Sequence, residues 1–293
     1  MSPTYLDYRP PYPYTAMLDF LAARAIPGVE HVEDGVYWRT VSLQDDGQNT
    51  LTGWVCISHA PERNALTVSM SETLDRVESQ VLERVSQLFD LSCDPEEIYA
   101  VLAPMNDIRP GLCVPGTRLP GSFNAFEMAV RAVLGQQVTV KAARTLAGRL
   151  VRAFGEEVAT DIPELTHVFP APERLLALDG PPESHLGPLG ILAMRARAID
   201  GLARAFAQKT IDFSPKAEPQ VELKKLCAIP GIGNWTAQYI AMRTMGWTDA
   251  FLETDAGVKK ALAPATAKEM LHMAEAWRPW RSYAVVNLWN SLH

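Results

Sequence analysis

Hydrophobic and polar residues alternate along three short stretches in the first third of the chain. They are residues 36–43, 50–57 and 65–70. Such alternation is typical of strands that bury one face, and Asp/Gly and Pro/Asn turn residues separate them. Helical periods lie before and after them, at about 15–26 and 72–91. The pattern predicts an antiparallel sheet with helices packed on it, an α+β domain over residues 1–93.

From Asp94 onward the hydrophobic period is helical throughout. Asp94 can act as an N-cap, with a proline at the first helical position and Glu97 at the capping-box position. Segments rich in proline and glycine separate further helices, at 108–121, 179–190 and 212–219. We predict an α+β chain in which an all-α domain, residues 94–293, follows the sheet domain.

Length and composition indicate a soluble globular protein. The 293 residues, 47% of them hydrophobic, are enough for two domains with buried cores. Residues 1–14 contain four prolines and no basic-then-apolar leader, and no run of about 18 uncharged apolar residues follows. We therefore expect the protein to remain in the cytoplasm.

The cysteines argue against a disulfide framework or a metal centre. Cys56, Cys93, Cys113 and Cys227 are far apart, without a C-x-x-C pair and without histidines at metal-ligand spacing. Zinc sites and iron–sulfur clusters need such spacings. We expect reduced thiols and no metal.

The charge distribution is uneven. The net charge of −7 has the wrong sign for a protein that binds a polyanion without specificity. Acidic residues crowd 72–97, whereas 141–152 and 278–293 carry only basic charges. We interpret this asymmetry as favouring a nucleic-acid face in the C-terminal domain, although a charged run also suits an ordinary solvated face.

The most informative motif is a helical hairpin at 226–239, in which Pro230-Gly231-Ile232-Gly233 joins two helices. Backbone N–H groups converge near the second helix N-terminus, and glycines leave room for a phosphate. The turn therefore predicts an anion site. An ordinary turn between helices remains the alternative.

This motif resembles that of the helix-hairpin-helix DNA glycosylases. Two further blocks, 118–143 and 277–284, resemble the start and the end of the catalytic domain in the bacterial 3-methyladenine DNA glycosylase II family. Three blocks in the family's order cover about 95–293. The resemblance implies a base-excision enzyme that acts on duplex DNA containing alkylated bases.

In this family Asp255 matches the catalytic aspartate. A carboxylate beneath the sugar stabilises the oxocarbenium-like transition state of N-glycoside hydrolysis and can activate water. The residue types alone also fit a simple N-cap of the following helix, and the two roles are compatible. Thr254 stands where the family often has a second aspartate, which leaves an auxiliary role there open.

Trp235 stands at the position where bifunctional family members carry a nucleophilic lysine. An indole cannot form a Schiff base, so the resemblance implies a monofunctional glycosylase without lyase activity. Hydrolysis of this kind needs no organic cofactor.

An aromatic base pocket is predicted from Trp235, Tyr239 and Trp289. The first two are four residues apart and share a helix face, and Trp289 matches the family's aromatic wall residue. Stacking would favour cationic alkylated purines by about 0.5–2 kcal/mol. Burial in the core is the alternative for aromatic residues at this spacing.

The resemblance also implies a set of DNA-binding residues. Gln137 occupies the position of the residue that inserts into the duplex, where the family has an apolar wedge; bridging of helices by Gln136 and Gln137 is the alternative. Gly231, Ile232, Gly233 and Thr236 would hold a phosphate, with a monovalent cation between hairpin and DNA. We expect a monomer that does not bind membranes.

Two other functions remain open on the sequence alone. A non-catalytic helix-hairpin-helix protein could bind damaged DNA, but binding does not require a carboxylate at Asp255. A bifunctional oxidised-base glycosylase is the second alternative, and Trp235 argues against it.

Overall fold

The computed structural model describes residues 3–292, which form a five-stranded antiparallel sheet followed by a helical region. The strand order in the sheet is β1-β5-β4-β3-β2. The strands are β1 (Thr4–Asp7), β2 (Glu30–Glu33), β3 (Val36–Gln44), β4 (Thr50–Ala60) and β5 (Ala65–Met70). The predicted α+β class is confirmed, and the sheet gains two short strands at its edges that the alternation did not reveal.

Two helices cover one face of the sheet, α1 (Tyr14–Ala22) and α2 (Glu78–Phe89). Both are shorter than predicted. The helix α1 ends early because the backbone N–H groups of Arg24 and Ala25 donate to carbonyls three residues before them, and that of Ile26 donates to the Glu30 carboxylate at 2.9 Å. A 3₁₀ turn replaces the expected first part of α2, and Asp90, with a φ of 53°, ends it.

The helical region consists of twelve helices in the described part of the chain. They are α3 (Pro95–Leu102), α4 (Met105–Ile108), α5 (Ala125–Leu134), α6 (Val140–Phe154), α7 (Pro172–Leu176), α8 (Pro182–Leu186), α9 (Ala193–Ala207), α10 (Pro219–Cys227), α11 (Asn234–Thr244), α12 (Ala256–Ala261), α13 (Ala267–Glu275) and α14 (Arg281–Asn290). Asp94 caps α3 as predicted, with its side chain accepting from two backbone N–H groups.

The region after Asp94 is not helical throughout. A two-residue pair, β6 (Glu156–Glu157) and β7 (His167–Val168), interrupts it. The pair is held to the sheet domain, since the hydroxyl of Thr40 on β3 donates to the His167 carbonyl at 2.8 Å. Strands of two residues carry too little alternation to be read from a sequence.

The helical region has two cores, and the candidate site lies where they meet. One packs α5, α6, α9 and α11 together with Ile26 and Val29, which both precede β2. The other packs α3 and the 112–119 segment against α12, α13 and α14. Tyr239 packs against both cores, which places α11 between them.

Candidate active site

A cavity of about 310 Å³ opens between α5, α6, α11, α12 and α14. Asp255, Trp235, Tyr239 and Trp289 all line it. The structure therefore brings together the predicted catalytic carboxylate and all three predicted pocket aromatics, although they come from two helices, α11 and α14, and from the residue that precedes α12.

Asp255 is held by four N–H donors. Its Oδ1 accepts from the backbone of Gly257 at 2.8 Å and of Val258 at 3.0 Å, which makes Asp255 the N-cap of α12. The Trp289 indole donates to the same oxygen at 2.9 Å, and the Trp235 indole donates to Oδ2 at 3.3 Å. An ionised carboxylate only accepts hydrogen bonds, so this environment matches its charged form.

The aromatic side chains form a stacked wall. Trp235 and Tyr239 lie parallel, with ring centroids 5.3 Å apart and planes at 4°, as their spacing on α11 predicted. Trp289 is inclined to Tyr239 at 59°, with centroids 6.1 Å apart. Behind Trp289 lies Phe20 of α1, at 6.4 Å and 23°. The sheet domain therefore supports the pocket, and no pattern in the sequence indicated a role for Phe20.

Gly257 lines the cavity and was also missed by the sequence reasoning. A Cβ atom at this position would lie 2.8 Å from Cδ1 of Trp289 and 3.1 Å from Oδ1 of Asp255. Only a residue without a side chain allows the indole to reach the carboxylate there.

Four arginines also line the cavity, and three of them, Arg24, Arg131 and Arg243, lie around Tyr239. Arg243 donates to the Tyr239 hydroxyl at 2.7 Å. Burial lowers the pKa of Arg24 to about 10 and also lowers the pKa of Arg243, but Arg24 stays charged at neutral pH. The predicted aromatic pocket is thus also strongly basic. A helical spacing of four residues links Tyr239 to Arg243 and was the one available signal.

Arg131 belongs to a buried ion network between the two domains. Its guanidinium contacts Glu30 at 2.8 Å and Glu127 at 2.9 Å, and Glu127 also contacts Arg39 at 2.7 Å. Burial alone would lower the pKa of Arg131, but the two carboxylates raise it above its usual range. The carboxylates of Glu30 and Glu127 balance the charges of Arg39 and Arg131. In the described part of the chain Arg24 and Arg243 form no ion pair, so their charges act on the cavity.

The two glutamines in the loop after α5 differ in their contacts. Gln136 bridges to the hairpin, because its Nε2 donates to the Gly231 carbonyl at 2.9 Å and to the Thr236 hydroxyl at 3.0 Å. Gln137 is exposed, with a φ of 51°, and its side chain makes no hydrogen bond to any residue in 3–292. Gly135 and Val138, on either side, line the cavity. The bridging alternative therefore describes Gln136, while Gln137 is exposed between two residues that line the cavity.

The hairpin needs glycine at one of its two positions. Gly231 has a φ of +90°, and a Cβ there would lie 3.1 Å from Ala198 Cβ. Gly233 has a φ of −89°, so only Gly231 uses the left-handed conformation that glycine permits. It is the N-cap of α11, and its open surroundings leave room for a ligand.

The side chains of Ile232 and Thr236 are buried at 4% and 3% exposure. Ile232 packs in the core, and the Thr236 hydroxyl already accepts from Gln136. Any phosphate contact here would therefore use backbone N–H groups at the start of α11, which lack intrahelical partners.

The two basic segments differ in their surroundings. Lys141, Arg144, Arg149 and Arg152 are exposed on α6, whose residues Val140, Ala143 and Arg144 also line the cavity. Arg278 and Arg281 instead pair with Asp249 and Glu275. The second segment was wrongly interpreted as a basic face, because acids distant in sequence or just before it neutralise its charge.

Within residues 3–292 no group of three or more His, Cys, Asp or Glu side chains could hold a metal ion. The four cysteines are not paired. No helix in that range has the length and apolar character needed to cross a membrane.

Comparison with known proteins assigns both parts of the chain. Residues 4–124 match the AlkA N-terminal domain, and residues 130–280 match the HhH-GPD superfamily base excision DNA repair protein. The predicted division at residue 93 stays a prediction.

Similar proteins are known in bacteria and archaea. The chain is 38% identical to DNA-3-methyladenine glycosylase 2 of Escherichia coli over 97% of this chain and 95% of that protein. It is 37% identical to a probable bifunctional transcriptional activator/DNA repair enzyme AlkA of Mycobacterium tuberculosis, over 98% of this chain and 56% of that protein. A solved 3-methyladenine DNA-glycosylase from Archaeoglobus fulgidus shares the fold, with a TM-score of 0.81 at 21% identity, covering 98% of this chain and 97% of that one. The chain belongs to the HhH-GPD superfamily of base excision DNA repair proteins, as a glycosylase of the DNA-3-methyladenine glycosylase II type that excises alkylated bases.

Proposed function

We propose that this glycosylase is monofunctional and that Asp255 carries its hydrolytic step. The supporting observation is the position of this carboxylate, held by four N–H donors at the wall of the 310 Å³ cavity. As the C1′–N bond breaks, positive charge develops on the sugar, and a fixed carboxylate stabilises it. The same group can orient the water that attacks C1′.

We expect no lyase activity because that reaction needs an amine nucleophile. A Schiff base requires a lysine, yet the residues of the described chain that line the cavity include four arginines and no lysine. Trp235 stands at the position of the family's nucleophilic lysine, and its indole N–H donates to Asp255. The enzyme therefore leaves an intact abasic strand.

The base must leave the duplex to reach Asp255, because the cavity is enclosed by helices on several sides. Gln137 fills the space that the base vacates. Its exposure and its position between two lining residues support this role, and its amide can hydrogen-bond the orphaned partner base.

The hairpin holds a DNA phosphate through the N–H groups before and at the start of α11 that have no partner in the helix. A monovalent cation bridges the hairpin and the DNA. Gly233, open to solvent, marks the place of contact. Duplex DNA containing alkylated bases is the partner of a monomeric enzyme that acts in the bacterial cytosol, at the nucleoid.

Turnover of a methylated duplex with borohydride present tests this function. We expect release of 3-methyladenine and 7-methylguanine, an unbroken abasic strand and no trapped protein–DNA adduct. A covalent adduct would contradict the monofunctional mechanism, and no base release would contradict the assignment of substrate.

A further inference from the structure

The hydroxyl proton of Tyr239 has no hydrogen-bond acceptor among the described residues. Its oxygen accepts a hydrogen bond from Arg243 at 2.7 Å. Arginine has no acceptor atom, so the phenolic proton cannot return to it. Within the described residues the Tyr239 hydroxyl donates to no other group, although this ring lines the cavity. A largely buried hydroxyl normally donates as well as accepts.

Arg243 is fixed in the position from which it donates. Its guanidinium also donates to the carbonyls of Pro120 and Gly121, and it lies over the Phe20 ring at 4.9 Å. With 4% exposure it cannot turn to solvent. It therefore holds the hydroxyl oxygen of Tyr239 and leaves the proton directed away from the guanidinium.

The charges around Tyr239 strengthen it as a donor. Burial raises the pKa of this phenol, but Arg243, Arg24 and Arg131 outweigh burial and lower it below its usual value. A phenol that loses its proton more readily gives stronger hydrogen bonds to an acceptor with negative charge.

We propose that the Tyr239 hydroxyl donates a hydrogen bond to an acceptor atom of the flipped base, with Arg243 as its positioning residue, and that this bond contributes most when the departing base is a neutral purine. The inference rests on the proposed function of Asp255 and adds a specificity determinant among the other residues that line the cavity.

The need for such a donor depends on the charge of the leaving base. When the C1′–N bond of a neutral purine breaks, the electron pair stays on the base, which departs as an anion. Water supplies the oxygen of the new C1′–O bond, and its surplus proton finally neutralises the base. The Tyr239 hydrogen bond stabilises the anion during departure. A cationic alkylated purine departs as a neutral base and gains less.

The test compares two duplexes under single turnover, one with hypoxanthine as the neutral base and one with 7-methylguanine as the cationic base. In Tyr239→Phe we expect excision of hypoxanthine to fall about 10- to 100-fold, the range for a hydrogen bond to a charged group. Excision of 7-methylguanine should fall at least fivefold less. Tyr5→Phe, on the sheet far from the cavity, is the matched control and should change neither rate.

Arg243→Lys and Arg243→Gln provide the second comparison, with thermal melting to confirm folding. Lysine retains a charged donor and should restore part of the hypoxanthine rate that glutamine loses. Equal losses on both bases in Tyr239→Phe would show that the residue only packs, and unchanged hypoxanthine excision would also overturn the proposal. If the wild-type protein released neither base, the proposed function itself would fail.

Discussion

The two ends of the cavity differ in charge and in construction. At one end Asp255 is a partly exposed carboxylate that two indoles and a helix N-terminus hold in place. At the other end Arg24, Arg131 and Arg243 surround Tyr239. Bond cleavage makes the sugar more positive and the base more negative. A negative charge beside the sugar and positive charges beside the base favour this movement of charge for cationic and neutral bases alike.

The ends also differ in what supports them. Local hydrogen bonds from α12 hold the acidic end, with an indole from each of two other helices. The basic end depends on the buried network that joins the sheet domain to α5. Substitutions at the acidic end should therefore lower the rate of base release, and substitutions at the basic end should lower the free energy of unfolding.

Asp255→Asn should give the largest effect on the rate. The amide keeps the size and most of the N-cap, so unfolding free energy should fall by at most about 1 kcal/mol. Loss of the charge should lower single-turnover base release by about 10²–10³-fold. Affinity for a lesion-containing duplex, measured at one salt concentration, should stay similar or increase. Near wild-type excision would move the chemistry away from Asp255.

Glu127→Gln should give the reverse pattern. It leaves the buried guanidinium groups of Arg39 and Arg131 with one carboxylate fewer, and we expect the unfolding free energy to fall by about 3 kcal/mol. Glu275→Gln is the matched control, because this exposed carboxylate also contacts two arginines and its loss should hardly change stability. Denaturant titration measures both. Equal, small losses would mean that the network does not hold the domains together.

Trp289→Phe should give the smallest of these effects and sharpen the role of the indole. The ring remains for stacking while the N–H donor to Asp255 is lost, and we expect about a tenfold fall in base release. Trp235→Phe, whose bond to Asp255 is longer at 3.3 Å, should lower the rate less. Both changes should affect cationic and neutral bases alike. A selective loss on cationic bases would instead support the cation–π hypothesis for this wall.

The sequence correctly predicted those parts of the site that lie within short, regular segments. Spacing on one helix placed Trp235 and Tyr239 together, and the residues after Asp255 marked it as an N-cap. The same reasoning did not show which hairpin glycine carries the positive φ, because a local turn pattern does not distinguish Gly231 from Gly233. It was wrong about Arg278, whose acidic partner Asp249 lies 29 residues away.

The sequence by itself determined the α+β order of the domains, the hairpin, the carboxylate and the aromatic wall, because alternation, helical period and capping act over a few residues. Only the tertiary structure decided that Phe20 supports Trp289, that Gly257 makes room for this indole, and that three arginines lie around Tyr239. Arg24, Arg131 and Arg243 come from separate elements more than 100 residues apart in sequence. Their meeting depends on how the sheet domain packs against α5 and α11, and no local pattern encodes that packing.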